Sequence, residues 1–239
     1  MKVQIFVPCF VDQLFPQTAF NMVKVLEKSG CTVDYNPNQT CCGQPAFNAG
    51  FWDQSKEVCS KFIRDFSGDD FIVAPSASCV GFVRNYYMKM FENSSLHNDI
   101  KLLQKRIYEF SDFMVNVLKI ENVGASLHTR ATYHDSCAAL RECKIKKEPR
   151  QLLSNVSGLQ LLEMEDVETC CGFGGSFAVK FEPISIGMAD QKVNNALKTG
   201  AECIISTDIS CLMHIEGYIR HKNINLQAMH IADVLASGY

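Results

Sequence analysis

Eight cysteines recur along the chain in two sets of four, in the same order and at closely matching spacing. The first set is Cys9, Cys41, Cys42 and Cys79, and the second is Cys137, Cys170, Cys171 and Cys211. In each set a Cys-Cys-Gly triplet follows the first cysteine after 32 or 33 positions, and the last cysteine stands 11 residues after a glycine. Sets of four thiolates bind zinc or iron–sulfur clusters, and spacing alone does not separate the two.

The Cys-Cys-Gly triplets favour a cluster over structural zinc. Structural zinc is usually held by two Cys-x-x-Cys clips, and the chain has no such clip. Adjacent cysteines combined with distant single ones suit iron–sulfur clusters, because several iron atoms spread their ligands over a larger volume. Gly43 and Gly172, the glycines of the triplets, let the backbone pass close to the centre, where N–H groups can donate to the ligating sulfurs.

The other four cysteines have no counterparts in the repeat. Cys31, Cys59, Cys143 and Cys203 are predicted to pack as small apolar side chains. A chain of 239 residues can bury its core without disulfides, and we expect its thiols to be kept reduced in the cytoplasm.

Composition excludes several kinds of partner. The formal charge of −3 and the apolar content of 47% are those of an ordinary globular protein, and they give no sign of a nucleic-acid partner or an anionic membrane surface. No apolar run reaches the ~20 residues of a membrane span. The apolar N-terminus is interrupted at Pro8, Asp12 and Pro16, so it predicts a first strand rather than a signal peptide, and a cytoplasmic protein.

The predicted secondary structure repeats together with the cysteines. Apolar runs predict strands at 2–9, 31–36, 71–79, 131–137, 159–164, 203–207 and 225–230. Helical spacing predicts helices at 17–30, 53–66, 80–91, 148–156, 183–199, 212–220 and 231–237. This alternation predicts an α/β fold of two pseudo-symmetric repeats, each a small Rossmann-like parallel sheet with flanking helices. We assign 1–97 to the first repeat, 98–127 to a helical connector and 128–239 to the second repeat.

Four of the repeated cysteines stand at or just past the ends of predicted strands. They are Cys9, Cys79, Cys137 and Cys211, and the two doublets follow strands after short loops. In open parallel sheets, ligands bind at the C-terminal edge of the strands. The four thiols of each half are therefore expected to converge on one crevice.

Longer stretches around these cysteines resemble a known family. The stretches "CCGQPAFNAG", "SDFMVNVL", "LHTRATYHDSC", "CCGFGGSFAVK", "CLMHIEG" and "AMHIADVL" are similar to the lactate utilization protein A family. The repeated cysteine pattern resembles the cysteine-rich CCG domain. That domain occurs in a cluster-binding subunit of heterodisulfide reductases and in the iron–sulfur subunits of glycolate oxidase and anaerobic glycerol-3-phosphate dehydrogenase.

The resemblance implies an iron–sulfur electron-transfer subunit of an NAD-independent system that oxidises L-lactate to pyruvate. The implied cofactor is a [4Fe–4S] cluster, one or two per chain, bound by the eight repeated cysteines beside Gly43 and Gly172, with zinc as the alternative. The implied partners are a ferredoxin-like iron–sulfur subunit and a third, smaller subunit. Two other functions stay open, namely a cluster-dependent oxidoreductase acting alone on lactate or a disulfide, and a zinc-stabilised scaffold without redox activity.

The chain departs from the fuller CCG pattern, which ends each repeat in Cys-x-x-Cys. Ser76 and Asp208 stand where the earlier cysteine of that pair would be. Four thiols per half suit an ordinary [4Fe–4S] cluster and argue against the non-cubane cluster of the heterodisulfide reductases, and therefore against disulfide cleavage.

Oxidising lactate also needs a base, because the reaction releases protons as well as electrons. His134 in "YHDSC" and His128 are candidates for this base, or for donors to a ligating sulfur, with simple packing as the alternative. Arg141 is a candidate for binding the substrate carboxylate. His214 and His230 are predicted to be structural.

Overall fold

The chain forms two parallel four-stranded sheets with the same strand order. The computed structural model describes residues 1–238. The first sheet contains β1 (Lys2–Ile5), β2 (Thr32–Tyr35), β3 (Phe71–Ala74) and β4 (Ile107–Glu109), in the order β2-β1-β3-β4. The second contains β5 (Ser126–Tyr133), β6 (Ser157–Leu161), β7 (Cys203–Ser206) and β8 (Gln227–His230), in the order β6-β5-β7-β8. Every pairing is parallel, which confirms the predicted fold class.

Helices connect the strands and cover the sheets. The α-helices of residues 1–238 are α1 (Cys9–Leu14), α2 (Pro16–Lys28), α3 (Gln44–Asn48), α4 (Trp52–Asp65), α5 (Ala77–Met90), α6 (His97–Arg106), α7 (Phe110–Asp112), α8 (Lys147–Leu153), α9 (Ser176–Lys180), α10 (Glu182–Lys198), α11 (Ile209–His221) and α12 (Ile231–Leu235). Two π-helical segments lie at Phe113–Val117 and Ala138–Cys143. Among the described residues, no helix is both long enough and apolar enough to cross a membrane.

Helix α2 shows how local sequence produces these elements. It begins at Pro16, whose fixed φ and missing N–H suit the first turn of a helix. Its buried residues include Met22, Val25 and Leu26, at the three- and four-residue spacing that places side chains on one helix face. The chain leaves the helix through Gly30 at φ +84°, a conformation that glycine adopts without a Cβ clash.

The segment 98–127, predicted as a helical connector, holds a strand as well as helices. Most of α6 does fall within it, but so does β4, which pairs with β3 and completes the first sheet. Three residues are too few to show a strand period, and β4 forms because β3 offers a free edge beside it. The first half therefore extends through β4, and β5 begins the second at Ser126.

One apolar core runs through both halves. It combines Val3 and Val25 of the first half with Ile205 and Leu212 of the second. Polar contacts join α2 to α12, since the Thr18 hydroxyl and the Asn21 amide donate to the two carboxylate oxygens of Asp233 at 2.9 and 2.8 Å. The halves thus form one folded unit and hold their sheet edges in a fixed relation.

A buried carboxyl group lies where the first sheet meets the second half. Glu109, at the end of β4, has no exposed surface. It accepts hydrogen bonds from the backbone N–H of Ser111 at 2.8 Å and of Asp112 at 3.2 Å, and from the Thr207 hydroxyl of the other half. Burial raises the pKa of Glu109 to about 7, and these hydrogen bonds only partly oppose that rise.

Glu109 is expected to make folding stability fall as pH rises. Its folded pKa of about 7 exceeds its ordinary value of 4.5, so the native state keeps a proton that the unfolded chain releases. Between these values this group alone lowers the free energy of unfolding by up to about 1.4 kcal/mol per pH unit. The free energy of unfolding, measured with urea from pH 4 to 8, should depend less steeply on pH in Glu109→Gln than in the wild type. The exposed Glu165→Gln should keep the wild-type slope, and equal slopes for all three proteins would contradict the expectation.

Candidate metal centre

All eight repeated cysteines line a single cavity between the two halves. Its volume is about 420 Å³, and its mouth is bordered by loops from both sheets. Phe10 of the first half and Phe173 of the second also line it, and their rings meet edge to face with centroids 5.9 Å apart. The four thiols of each half lie at the C-terminal edge of their own sheet, and the two edges face the same space.

The two halves position their thiols with similar local backbone structures. Cys9 begins α1 directly after β1, and Cys137 immediately precedes the π-helical segment after β5. Cys79 and Cys211 lie in the first turns of α5 and α11, so the strand predicted at 71–79 ends earlier than expected, at Ala74. Each doublet lies in the loop that leads into a short helix, α3 or α9.

Within each half the four sulfurs follow one another in a line of contacts. In the first half, Cys41 is in hydrogen-bonding contact with Cys42 and Cys9, and Cys42 is also in contact with Cys79. Hydrogen bonds donated by Cys42 and Cys9 lower the pKa of Cys41. The pKa values of Cys9 and Cys42 are raised, so Cys41 ionises before either of them.

The second half repeats this arrangement. Cys170 is in contact with Cys137 and Cys171, and Cys171 with Cys211. Hydrogen bonds from Cys137 and Cys171 lower the pKa of Cys170. In each half the pKa of the first doublet cysteine is thus lowered by hydrogen bonds from two neighbouring thiols.

The triplet glycines allow the backbone to turn around each central sulfur. Gly43 and Gly172 have φ of +92° and +95°, and each donates its N–H to the sulfur of the first doublet cysteine, Cys41 or Cys170, at 3.4 Å. A Cβ on Gly172 would lie 2.6 Å from the carbonyl oxygen of Ser185. Each triplet thus turns around a sulfur, and its glycine stands where a larger residue does not fit.

Gly172→Ala is expected to damage the second set of thiols and to destabilise the chain. The added Cβ would force α10 away, and a positive φ costs an alanine about 1–2 kcal/mol. We expect a fall of about 2–3 kcal/mol in the free energy of unfolding, together with weaker metal uptake by the second half. Urea unfolding and metal titration measure the two effects. Gly187→Ala, whose Cβ meets nothing within 4 Å, is the matched control. A wild-type midpoint for Gly172→Ala would contradict the steric argument.

The surroundings of the two thiol sets differ. Behind the first set lie aromatic rings, and the Tyr87 hydroxyl donates to the carbonyl of Cys42 at 2.7 Å. Behind the second set lies Lys192, which is 1% exposed and donates to the carbonyls of Asp166 and Val167 at 2.7 and 3.1 Å. Burial lowers the pKa of Lys192. The second set is thus the one with a buried amine beside it.

Ser76 and Asp208, which replace the cysteines of the fuller pattern, pair with each other across the two halves. They form an isolated antiparallel bridge and both line the cavity. The Asp208 carboxylate accepts from the N–H of Ser78 at 2.8 Å and from the Ser210 hydroxyl at 2.7 Å. It therefore caps the starts of α5 and α11 together, and its oxygens already have partners without a metal.

The three candidate catalytic residues are placed in three different ways. His134 is fully buried behind the second thiol set, and burial lowers its pKa to about 3. His128 is exposed on the same strand six residues earlier, about 20 Å away along β5. Arg141 is exposed in a π-helical segment. None of the three lines the cavity, so the structure does not bring His128 or Arg141 to the thiols.

The four unrepeated cysteines and the remaining two histidines have local partners or lie buried. Cys59 donates to the Cys42 carbonyl at 3.4 Å, and Cys143 donates to that of Ala77 at 3.4 Å. Cys31 and Cys203 lie in the core. The ring of His214 contacts Ser185, and that of His230 accepts from the first turn of α12. All twelve cysteines are free thiols.

Sequence patterns missed a buried ion pair beside the second set. Asp135, two residues before Cys137, is 1% exposed and binds the Arg150 guanidinium through two parallel hydrogen bonds of 2.9 Å. The guanidinium also lies 5.1 Å from the centroid of the Tyr133 ring. The only signal available in the sequence was an acidic residue in "YHDSC", and that does not identify its partner.

Comparisons with known proteins agree with this two-half design. A family model described as a cysteine-rich domain, CCG, matches residues 3–84 and 131–216. The chain is 44% identical over 237 residues to lactate utilization protein A of Bacillus subtilis (strain 168), covering 99% of this chain and 100% of that protein. It is 41% identical over 239 residues to lactate utilization protein A 2 of Bacillus cereus (strain Q1), covering 100% and 99% of the two chains.

A solved structure shares the fold. The crystal structure of a hypothetical protein from Helicobacter pylori matches the whole of this chain and 49% of its own chain, with a TM-score of 0.59 and 11% sequence identity. At that identity the likeness concerns the architecture alone, and it supports the arrangement of two similar α/β halves.

Proposed function

The chain, which carries the cysteine-rich CCG domain twice, belongs to the lactate utilization protein A family, and we propose that it is the iron–sulfur electron-transfer subunit of an NAD-independent L-lactate oxidation complex. A role in lactate utilization follows from the family. The observation that supports electron transfer is the meeting of two four-thiol sets at one cavity. Two centres facing one space can pass electrons between them without crossing the protein core.

The first thiol set suits an iron–sulfur cluster better than a single zinc ion. In a tetrahedral zinc site with Zn–S near 2.3 Å, every pair of sulfurs is about 3.8 Å apart. Among the described residues, only His134, Cys171 and Cys211 have three ligand atoms within 4.8 Å of one another. Within residues 1–238, no three sulfurs of the first set meet that criterion, and more widely spread sulfurs suit several metal atoms better than one. We propose a [4Fe–4S] cluster at each set.

The residues around the thiols would set the properties of such clusters. When bound, a cluster accepts and releases single electrons. The N–H groups of Gly43 and Gly172 already donate to sulfur, and such donors raise a reduction potential by stabilising negative charge. Phe10 and Phe173 close the cavity wall and limit the access of water to the thiols.

The cavity lacks what lactate would need as a bound substrate. A carboxylate substrate is normally held by Arg or Lys, and none of the described lining residues is basic. The one charged side chain there is Asp208, which would repel an anion. We therefore propose that lactate is oxidised on a partner subunit, and that this chain relays the electrons in the cytoplasm. Its proposed partners are a ferredoxin-like iron–sulfur subunit and a third, smaller subunit.

Anaerobic reconstitution tests this function. The chain, reconstituted with iron and sulfide, should contain both elements and give an EPR signal on reduction by dithionite. Lactate should reduce the isolated chain negligibly and should reduce it when the two partner subunits are present. Reduction of the isolated chain by lactate would instead indicate an enzyme acting alone. Retention of zinc, with no iron or sulfide bound, would indicate a scaffold.

A further inference from the structure

His134 is a buried side chain without a polar partner. It has no exposed surface, and among the described residues neither of its ring nitrogens has a hydrogen-bond partner. Its backbone is held firmly, because its N–H donates to the carbonyl of Ile205 at 2.8 Å and its carbonyl accepts from the Ser206 hydroxyl at 3.0 Å. A buried polar group left unpaired costs about 1–3 kcal/mol, so the imidazole is expected to have a partner that is not a protein side chain.

Two buried thiols of the second set lie close to this imidazole. A ring nitrogen of His134 and the sulfurs of Cys171 and Cys211 all lie within 4.8 Å of one another. Both cysteines line the cavity, whereas His134 does not. The imidazole thus lies behind the thiols, where it reaches whatever the sulfurs bind but not a substrate in the cavity.

The repeat provides an internal comparison for this position. Phe6 precedes Cys9 by three residues, as His134 precedes Cys137. The N–H of Phe6 donates to the carbonyl of Val73 at 3.0 Å, the same place in β3 that Ile205 occupies in β7. Phe6 packs edge to face on Phe62, with ring centroids 4.8 Å apart.

An apolar ring therefore satisfies the packing at this position of the fold. In the second half, packing alone would not require a histidine, and the histidine makes no hydrogen bond that would explain it. The feature that distinguishes the two rings is a nitrogen within 4.8 Å of two thiol sulfurs. Imidazole nitrogen is a ligand for both zinc and iron, and it binds together with thiolates in known mixed sites.

We propose that His134 is a nitrogen ligand of the metal centre at the second thiol set. The chain then holds two unequal centres, one bound by four thiolates and one bound by the His134 imidazole with three of the four thiolates of its set. This assignment rests on the proposed binding of metal by the thiols. Replacing an anionic thiolate by a neutral imidazole raises the reduction potential of a cluster, so the second centre is the electron acceptor of the pair.

Pulsed EPR of the full, iron- and sulfide-loaded chain tests this ligand. The reduced protein should show hyperfine coupling to a directly bound nitrogen, and the coupling should change when histidine is labelled with ¹⁵N. His134→Phe, which installs the residue of the first half, should lose the coupling. It should also lower the potential of one centre or halve the iron content. His214→Phe, on the neighbouring helix, should retain both the coupling and the potential.

Two further measurements separate a ligand from a packing residue. In the metal-free chain, His134→Phe should unfold at the same urea concentration as the wild type or a higher one, because an unpaired polar group is removed. Titration with Co²⁺ alone gives a second probe, since the d–d bands of the wild type should shift in His134→Phe. Unchanged iron content, potentials, coupling and Co²⁺ bands in His134→Phe would overturn the inference. If the chain took up no iron–sulfur cluster but showed His134-dependent Co²⁺ bands, the proposed function would fail and the ligand assignment would stand.

Discussion

Cys41→Ser and Cys170→Ser are each expected to remove the metal centre of one half and leave the other half loaded. Each of these thiols contacts two of the other three in its set and has a lowered pKa, so it is the central ligand of the line. Serine offers a harder, shorter donor that is protonated at neutral pH. Iron and sulfide per chain should fall to about half in each single variant and to near zero in the double variant.

Cys31→Ser is the matched control for these substitutions. Cys31 is buried and precedes β2, at the opposite edge of the sheet from the cavity, so its variant should keep the full iron content. Full occupancy in Cys41→Ser would remove that thiol from the ligand set. Loss of all iron in either single variant would mean that one cluster is shared by the two halves across the cavity.

Much of the fold was predictable because the cysteine repeat and the spacing of apolar residues indicate the same succession of strands and helices. Helix α10 was expected at 183–199 and lies at Glu182–Lys198, and the strand expected at 203–207 is β7. Buried parallel strands appear as short continuous apolar runs, and helices end near glycines such as Gly200 at φ +76°. These signals are local, so they are visible without knowledge of the tertiary structure.

The elements that were missed depend on contacts distant in sequence. Strand β4 has three residues and is defined by its pairing with β3. Cys79 was expected at the end of a strand but lies in a helical turn, because Ser76 at the bridge to Asp208 ends the extended segment. That bridge joins positions 132 residues apart, and no local pattern predicts it.

The same limit explains what was missed at the candidate site. The expectation from sequence was four thiols meeting in each half. Both sets line one cavity because the two halves pack together through the common core and the contacts of Asp233. The lack of a hydrogen-bond partner for either ring nitrogen of His134 among the described residues is likewise a tertiary property. The motif "YHDSC" indicated that a histidine was near the thiols, but its role could not be read from it.

Arg150→Leu is expected to cause a large loss of stability although it lies outside the cavity. It would leave the Asp135 carboxylate, 1% exposed, without the two guanidinium hydrogen bonds that balance its charge. Breaking a buried ion pair by removing one partner costs about 3–5 kcal/mol. Because the Arg150 side chain is 22% exposed, we expect a value near the lower end, about 3 kcal/mol. The urea midpoint measures this loss.

An exposed arginine separates the effect of burial from that of charge. Arg220 pairs with Glu216 one helical turn away, with 77% of its side chain exposed, and such pairs contribute only about 0.3–0.5 kcal/mol. Arg220→Leu should therefore leave the urea midpoint almost unchanged. Since Asp135 lies two residues before Cys137, Arg150→Leu should also weaken metal retention in the second half, while the first half keeps its iron. Equal midpoints for the two arginine variants would show that solvent already screens the Asp135 charge, and the ion pair would then have no part in holding the loop that presents Cys137.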